Sequence, residues 1–154
     1  RRQIETHGNK EIQYEIDVAA VMREEVGVNE LMSWFLVQDG LPIIYSSASP
    51  KSVKVVQAEF GANAIAEKLG VLFGELAVRL VDAGIERLIV AGGETSGSVV
   101  EALATTVLNI GPEIDPGVPA MRGGEKLTLA LKSGNFGTDD FFQKAAVVLA
   151  GDIK

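Results

Sequence analysis

Glycine, hydroxyl and carboxyl groups are crowded into one short segment, VAGGETSG, at residues 90–97. The segment follows an apolar run, and a helix-like pattern follows it. Glycines at such a place let the backbone approach a ligand and adopt a positive φ, and the free N–H groups of a helix start favour anions. Thr95 and Ser96 add hydroxyl donors. These residue types indicate a cradle for a phosphate or carboxylate, although a Gly-Gly pair after a strand is often only a tight turn.

A second glycine-rich turn ends another apolar run, in LALKSGNFG at residues 129–137. Gly134 and Gly137 again permit close backbone approach, and Lys132 could approach a phosphate, although a lone lysine is more often a solvated surface residue. Two such strand ends in one small parallel sheet can flank a single cleft, beyond the carboxyl ends of the strands. The first segment is neither a Walker A loop nor a G-x-G-x-x-G fingerprint, so the anion stays unnamed at this point.

Two carboxylates lie between these segments, in NIGPEIDPGVPAMRGG at residues 109–124. Glu113 and Asp115 carry the oxygen ligands that could hold Mg²⁺ or a sugar hydroxyl. A rigid loop rich in proline and glycine, in which Asp115 sets a turn before Pro116, explains the same residues equally well. We expect a long loop at 111–125, and both roles of the carboxylates stay open.

The elements that must position these segments alternate between strand and helix. Apolar and polar residues alternate from Ile12 to Val18, which predicts a half-buried strand, and the unbroken apolar run RLIV at 87–90 predicts a strand buried on both faces. Apolar side chains at 3.6-residue spacing predict a long amphipathic helix that ends at Gly84. Further strands are predicted at 41–47, 106–110 and 126–132, and further helices from the cap Asn29 to Gly40, from the cap Ser49 to 61, at 98–104, and at 139–151 with Thr138 or Asp139 as the cap.

This alternation predicts the α/β class. We expect a Rossmann-like, three-layer αβα sandwich whose sheet is mainly parallel or else mixed. Residues 1–10 are polar, so we expect a tail or linker there and one domain over 11–154. The chain starts at Arg1 rather than at Met, which indicates a removed tag or propeptide, or a piece of a longer chain.

Composition argues against several classes of partner. The 154-residue chain has 14 Lys and Arg against 21 Asp and Glu, a net charge of −7, whereas a nucleic-acid-binding face needs basic stripes. No apolar run approaches the ~20 residues of a membrane span, and no signal peptide is visible. The chain has no cysteine, which excludes disulfides and thiolate metal sites. We therefore expect a cytoplasmic protein with small-molecule partners rather than a nucleic acid or a membrane.

Three segments in a fixed order resemble one known family. VAGGETSGSVVEAL, IGPEIDPGVP and LALKSGNFGTDDFF are similar to the C-terminal part of the four-carbon acid sugar kinase family, often called DUF1537. The segment LPIIYSSASP and the long helix before RLIVAGGETSG match the layout of that family as well. The resemblance covers nearly all of residues 11–149, and the joint pattern is specific.

The resemblance implies an activity. Members of the family are ATP-dependent kinases that phosphorylate a four-carbon acid sugar, such as threonate, erythronate or 3-oxo-tetronate, at its terminal hydroxyl with the help of Mg²⁺. They join an N-terminal substrate domain to a C-terminal nucleotide-binding domain, and this chain resembles the second alone. Its partners would be ATP, the acid sugar and the N-terminal domain, with a homodimer as a further option. The general base is expected in the other domain, so this chain by itself would not catalyse the reaction.

The same resemblance assigns site residues. Those expected to contact ATP are Gly92, Gly93, Glu94, Thr95 and Gly134. Position alone adds Ser96 and Lys132, and no catalytic residue or direct metal ligand is assigned. Two features depart from the family pattern. The upstream Ser-Gly-Ser segment, whose serine also contacts ATP in the family, has no counterpart here, and Ala120 stands where the family often has Trp after Gly-Val-Pro.

Two other classes of function fit the residues. A small-molecule sensing module would bind an acidic metabolite in preference to ATP. A structural or dimerisation domain would bind neither, and its glycines would serve only turns. The apolar helix ELMSWFLV could supply a subunit contact in that case, although such a stripe more often belongs to the core.

Overall fold

A computed structural model of the chain describes residues 2–7, 12–134 and 136–151, and these residues alternate between helix and strand. The helices are α1 (Arg2–His7), α2 (Val18–Met22), α3 (Val28–Phe35), α4 (Pro50–Phe60), α5 (Ala62–Asp82), α6 (Gly93–Ala102) and α7 (Phe141–Leu149). The strands are β1 (Gln13–Glu15), β2 (Ile43–Tyr45), β3 (Arg87–Ala91), β4 (Asn109–Asp115), β5 (Val118–Gly123) and β6 (Leu127–Lys132). The α/β class predicted from the sequence is confirmed.

The strands form two sheets between two layers of helices. One sheet is the parallel pair β1–β2, and the other has the order β3-β6-β5-β4. In the larger sheet β3 and β6 are parallel, whereas β6–β5 and β5–β4 are antiparallel, so the sheet is mixed. Side chains from α2, α3, α5 and α6 fill the apolar core on one face, and those from α1 and α7 fill the core on the other. The layers are therefore those of an αβα sandwich.

The long amphipathic helix fixes the position of α6. Leu72, Leu76 and Leu80 of α5 are buried at the predicted spacing. On the neighbouring face, Gly74 lets α6 come so close that a Cβ at Gly74 would lie 3.0 Å from Cβ of Ala102. Because α6 carries the GGETSG segment, its close packing on α5 sets where that segment lies.

The prediction of a long loop at 111–125 is wrong, because these residues form most of a hairpin. Strand β4 runs to Asp115, a turn with Gly117 at φ +78° follows, and β5 pairs with both β4 and β6. The prolines that argued against a strand lie where the ladder is irregular: the register shifts on both sides of the pair Glu113–Pro119. Proline is tolerated at such irregularities, since no regular donor is needed there.

Other predicted ends of helices and strands differ from the observed ones for local reasons. Asp17 ends the predicted first strand early, because its carboxylate accepts from the N–H groups of Ala19 and Ala20 at 2.9 and 3.3 Å and caps α2. The predicted cap Asn29 lies inside α3, which has Gly27 as its N-cap. The cap Ser49 is confirmed by its side chain, which accepts from the N–H of Ser52 at 3.2 Å.

The ends of the chain also differ from expectation. Residues 2–7, which we expected in a tail or linker, form α1, and Ile4 is buried against α7; residues 8–10 lie outside the described part. Helix α7 begins at Phe141 with Asp140 as its N-cap, and no side chain makes a capping hydrogen bond to this helix start, so neither Thr138 nor Asp139 is the cap. The predicted strand 106–110 begins only at Asn109, and α6 begins at Gly93 rather than Ser98.

Candidate functional site

The fold brings the two glycine-rich turns side by side. Strands β3 and β6 are parallel neighbours, so their carboxyl ends meet at one edge of the sheet, with Ala91 opposite Lys132. The N–H of Gly92 donates to the carbonyl of Lys132 at 2.8 Å. A Cβ on Gly93 would contact Oγ of Ser133 at 3.6 Å. The expectation that both turns flank one place in the molecule agrees with this geometry.

Helix α6 starts within the GGETSG segment and presents its N-terminus at this edge. Gly92 is the N-cap with φ +123°, a backbone conformation that glycine adopts without strain. No side chain caps the helix. The N–H of Ser96 donates to the carbonyl of the N-cap residue Gly92 at 2.8 Å. The N–H groups of the first turn are therefore free of side-chain acceptors and suited to an anion.

The side chains of this segment point in different directions. Thr95 lines the main cleft with Gly92, whereas Ser96 lines a separate shallow pocket with Gly97 and Leu131. Oγ of Ser96 is buried and has no hydrogen-bond partner in the part of the chain that the structure describes. Glu94 is exposed in the first turn of α6. The structure thus brings Thr95 into the cleft but not Ser96.

Lys132 is buried at the centre of the site, with only 3% of its surface exposed. Its Nζ donates to the carbonyl of Gly134 at 2.7 Å and lies 5.7 Å from the ring centroid of Phe141. Among the described residues no carboxylate pairs with it, and burial lowers its pKa. Lys132 is therefore not the solvated surface lysine that was the alternative, but a buried cation with no carboxylate partner in the described part of the chain.

A cleft of about 1320 Å³ opens beside these groups. It runs from the carboxyl ends of β3 and β6 across to β2, where Ser46 and Ser47 follow the strand. These two hydroxyls are not among the predicted site residues, although their place after the apolar run LPIIY was a usable signal. Arg2 is not among them either, because that residue was assigned to a tail. The residues that line the cleft include Arg2, Ser46, Ser47, Gly92, Thr95, Lys132, Gly134 and Gly137.

The carboxylates of the third segment serve the fold rather than the cleft. The carboxylate of Asp115, 6% exposed, accepts from the N–H and Oγ1 of Thr138, both at 2.9 Å, and pairs with Nζ of Lys144 at 3.2 Å. The N–H of Thr138 is the largest cause that holds the pKa of Asp115 below its ordinary value. Glu113 accepts from the N–H of Gly117 at 2.7 Å within the hairpin turn. Neither carboxylate lines the cleft, and Asp115 bonds to Thr138 and Lys144 rather than setting the expected turn before Pro116.

The described residues form neither a cluster of metal ligands nor a membrane-spanning helix. Within 2–7, 12–134 and 136–151 no group of three or more His, Cys, Asp or Glu side chains is arranged to hold a metal ion. None of the helices in those ranges is long and apolar enough to cross a membrane.

A family model described as the nucleotide-binding C-terminal domain matches residues 1–142. The chain belongs to that family. Curated relatives include the 3-oxo-tetronate kinase of Pseudomonas fluorescens, 47% identical over 90% of this chain and 33% of that protein. The 3-oxo-tetronate kinase of Haemophilus influenzae is 35% identical over 94% of this chain and 36% of that protein. The chain thus spans about a third of the length of the curated relatives it matches.

Solved structures share the fold. The Haemophilus influenzae protein HI1011, described as DUF1537, superposes with a TM-score of 0.88 at 35% identity, over 96% of this chain and 37% of that one. A DUF1537 protein of Bordetella bronchiseptica, described as a domain-swapped dimer with bound citrate, superposes with a TM-score of 0.67 over 97% of this chain and 36% of that one. Its identity is 24%, so this second likeness concerns the fold alone. The resemblance to the DUF1537 family is confirmed.

Proposed function

We propose that this chain is the nucleotide-binding domain of an ATP-dependent kinase that phosphorylates a four-carbon acid sugar at its terminal hydroxyl. Threonate, erythronate and 3-oxo-tetronate are the candidate substrates, and the names of the relatives favour the last. The N-terminal substrate domain of a longer parent chain would be the partner of this domain. A cytoplasmic location, where ATP is available, fits this role, and a homodimer is compatible with it.

The buried Lys132 is the observation that carries the proposal. Lys132 is 3% exposed, and among the described residues its Nζ contacts a carbonyl and an aromatic ring but pairs with no carboxylate. Perturbed, buried ionisable groups in a cleft are common at functional sites. The N-terminus of α6 follows β3, whose last residue, Ala91, is paired with Lys132. A phosphate chain between the two would satisfy the ammonium and the free N–H groups together.

Each site residue has a defined part in this arrangement. Gly92 and Gly93 let the backbone of the first turn approach the phosphates, and Gly134 does the same in the second turn. Thr95 adds a hydroxyl donor from the wall of the cleft. Glu94 stands beside the same helix start, where its carboxylate would repel a phosphate unless a cation lies between them. We assign Glu94 to bound Mg²⁺, through water, or to the ribose hydroxyls.

Phosphoryl transfer needs alignment and charge stabilisation more than covalent chemistry from the protein. When bound, Mg²⁺ would supply charge neutralisation at the phosphates. The residues of this chain would hold the nucleotide and keep its phosphates against Lys132. The proton of the sugar hydroxyl would pass to a base in the N-terminal domain. The 154-residue chain should therefore bind nucleotide weakly and phosphorylate nothing.

Calorimetric titration with ATP·Mg²⁺ tests the nucleotide site. Gly92→Ala is the test variant and Gly124→Ala is the matched control, because both glycines have positive φ, +123° and +87°, and alanine strains both. Only Gly92 lines the cleft. We expect Gly92→Ala to lose at least about tenfold in affinity without unfolding, and Gly124→Ala to bind like the wild type. Equal affinity in all three proteins, or no binding even by the parent chain, would contradict the proposal.

The substrate class needs the parent chain. We expect turnover of at least one of the three four-carbon acids with ATP, and none by the 154-residue chain alone. Tighter binding of a sugar acid than of ATP by the 154-residue chain would instead support a sensing module. Binding of neither by chain or parent would support a structural domain.

A further inference from the structure

Strands β2 and β3 each present an unpaired edge to the other. In the described residues, β2 pairs with β1 alone, and β3 pairs with β6 alone. The cleft described above lies between these two edges, since it is lined by Ile43, Ile44 and Tyr45 on one side and by residues 87–91 on the other. An unpaired strand edge in the middle of a sheet leaves backbone donors and acceptors without partners.

Two hydrogen bonds fix which backbone groups face the gap. The carbonyl of Glu86 and the N–H of Gly92 both bond to β6, at 2.8 Å each. Because backbone direction alternates along a strand, Leu88 and Val90 also point to β6, whereas Ile89 and Ala91 point away from it. On β2, the carbonyl of Tyr45 accepts from the N–H of Ile16 at 2.8 Å, so Tyr45 faces β1 and Ile44 faces the gap.

The two apolar layers continue across the gap. Ile44 and Val90 pack against the core on one face, and Ile43, Tyr45 and Ile89 pack against the core on the other. Core side chains of both layers line the cleft, among them Leu76, Leu80, Phe142 and Leu149. Its volume, about 1320 Å³, exceeds the ~300–1,000 Å³ of ordinary ligand pockets. The gap therefore passes through the sheet layer and is apolar on both sides, which is the environment of a central parallel strand.

The burial of β3 points to the same vacancy in the sheet. The sequence RLIV predicts a strand buried on both faces, but only Leu88 of β3 is buried, while Ile89 and Val90 are half-buried and Ala91 is exposed. An apolar strand that is left half-exposed in the centre of a fold is suited to one more neighbour.

We propose that a β-strand supplied by the residues directly ahead of Arg1 in a longer parent chain fills this gap, parallel to β2 and β3, and joins the two sheets into one. The relatives carry about two-thirds of their length outside the matched region, and the matched family is described as a C-terminal domain. Such a parent therefore has chain available ahead of this one.

Helix α1 gives the direction of the strand. Gln3 donates from Nε2 to the carbonyls of Phe136, Gly137 and Thr138, at 3.3, 3.1 and 2.8 Å, in the turn that follows β6. The start of α1 therefore lies at the carboxyl ends of β3 and β6, and its residues line the mouth of the cleft. A segment that runs through the gap and leads directly into α1 ends at this edge, so it is parallel to both neighbours.

The handedness of the connections agrees with that position. The connections β1 to β2 and β2 to β3 move in one direction across the sheet through helices on the face of α3 and α5. A connection from the gap through α1 to β1 moves in the opposite direction on the opposite face, where α1 packs against α7. A crossover that reverses both its direction across the sheet and the face on which its helix lies has the same handedness. Crossovers between parallel strands are almost always right-handed, so the proposed position agrees with this rule.

Amide hydrogen exchange, resolved by residue on the parent chain and on the 154-residue chain, tests the inference. In the 154-residue chain the N–H groups of Ile89 and Ala91 should exchange freely while that of Val90 is protected. In the parent, Ile89 and Ala91 should exchange at least about tenfold more slowly and match Val90. Nuclear Overhauser contacts of the Ile89 amide should then connect it to the segment ahead of Arg1. No nucleotide is needed, so this test is separate from that of the proposed function.

Other outcomes would each overturn the inference. Contacts from Ile89 to Ile44 in the parent would mean that β2 and β3 pair directly. Protection of Ile89 in the 154-residue chain that depends on its concentration would assign the gap to a second copy. An alternating pattern in the parent, with Ile89 fast and Val90 slow, would leave β3 as a true edge strand. The parent alone decides the question if the shorter chain does not fold.

Discussion

Replacing Lys132 by Met should weaken nucleotide binding and leave the unliganded protein at least as stable. Met has an unbranched side chain one atom shorter than that of Lys, and it removes the charge from a position that is 3% exposed. In the free protein the change removes the penalty of burying a cation, which is several kcal/mol, and loses the hydrogen bond to the Gly134 carbonyl, about 1.5 to 3 kcal/mol for a charged donor. Gly134 is exposed, so water can take the place of that donor.

In the complex with nucleotide, Lys132→Met should be unfavourable. A charge-assisted bond from Nζ to a phosphate is worth about 1.5 to 3 kcal/mol, so Lys132→Met should lower the affinity for ATP·Mg²⁺ about 10- to 100-fold. Titration calorimetry gives the affinity, and thermal unfolding gives the stability of the free protein; in a domain of this size 1 kcal/mol shifts Tm by roughly 2–4 °C. Lys126→Met is the control, since its side chain is 81% exposed.

The pKa of Lys132 supplies a second readout. Burial lowers this pKa in the folded chain, so the unfolded chain binds more protons between the lowered and the ordinary value. The free energy of unfolding should rise with pH across that window in the wild type, because the penalty of the buried charge disappears, and should lack this rise in Lys132→Met. A bound phosphate would raise the pKa again, so ATP binding in alkaline buffers should take up protons. A variant that loses more than about 2 kcal/mol of stability and binds ATP normally would refute the reasoning and make Lys132 a structural contact of its turn.

The remaining predictions concern packing and the buried polar groups. Gly74→Ala places a Cβ 3.0 Å from Cβ of Ala102, so thermal unfolding should show a lower Tm, whereas Gly97→Ala on α6, with nothing within 4 Å, should gain up to about 1 kcal/mol from helix propensity. Asp115→Ala should cost about 2 to 3 kcal/mol in chemical denaturation at neutral pH, because three hydrogen bonds to a charged group are lost. Since the pKa of Asp115 is lowered, its contribution is complete above the ordinary aspartate pKa and is lost as pH falls through the lowered one; a variant with the wild-type acid profile would contradict this. Ser96→Ala removes a buried hydroxyl that has no partner in the described residues, so it should leave Tm unchanged or raised and, in titration, leave ATP affinity unchanged.

The α/β class and the meeting of the two glycine turns could be predicted because both depend on local patterns. A strand, a glycine and a helix start are visible in the sequence around Gly92 and again around Gly134. Parallel neighbours then bring their carboxyl ends together, as the register of β3 and β6 does. What the pattern could not give was the first residue of α6. Because each helical residue turns by about 100°, the start at Gly93 rather than Ser98 decides that Thr95 enters the cleft and Ser96 does not.

The burial of Lys132 and the place of α1 depend on contacts between residues far apart in the chain. Lys132 is covered by Phe141 of the next helix and by the turn at Gly134, and neither contact has a signature in the spacing of residues. A six-residue helix has too few turns to show a periodicity, so Ile4 and Gln3 were counted as part of a tail. Only the folded chain shows that Ile4 is buried and that the amide of Gln3 joins α1 to the turn after β6.

The unpaired charge and the unpaired edges lie in one cleft, so the ligand and the added strand should stabilise the domain together. Among the described residues no carboxylate pairs with Lys132, and no strand pairs with the edge of β3 to which the backbone groups of Ile89 and Ala91 point. The proposed strand would end between Ser46 and Gly92, at the mouth of the same cleft, and would order the wall on which the nucleotide lies. The strand should therefore raise the affinity for nucleotide, and bound nucleotide should stabilise the strand, which is a positive coupling between the two. Thermal unfolding with and without ATP·Mg²⁺ measures it: the rise in Tm on adding nucleotide should be larger in the parent than in the 154-residue chain. Equal rises would mean that the strand and the nucleotide site are independent, because a shared cleft wall that orders on strand addition cannot leave the affinity unchanged.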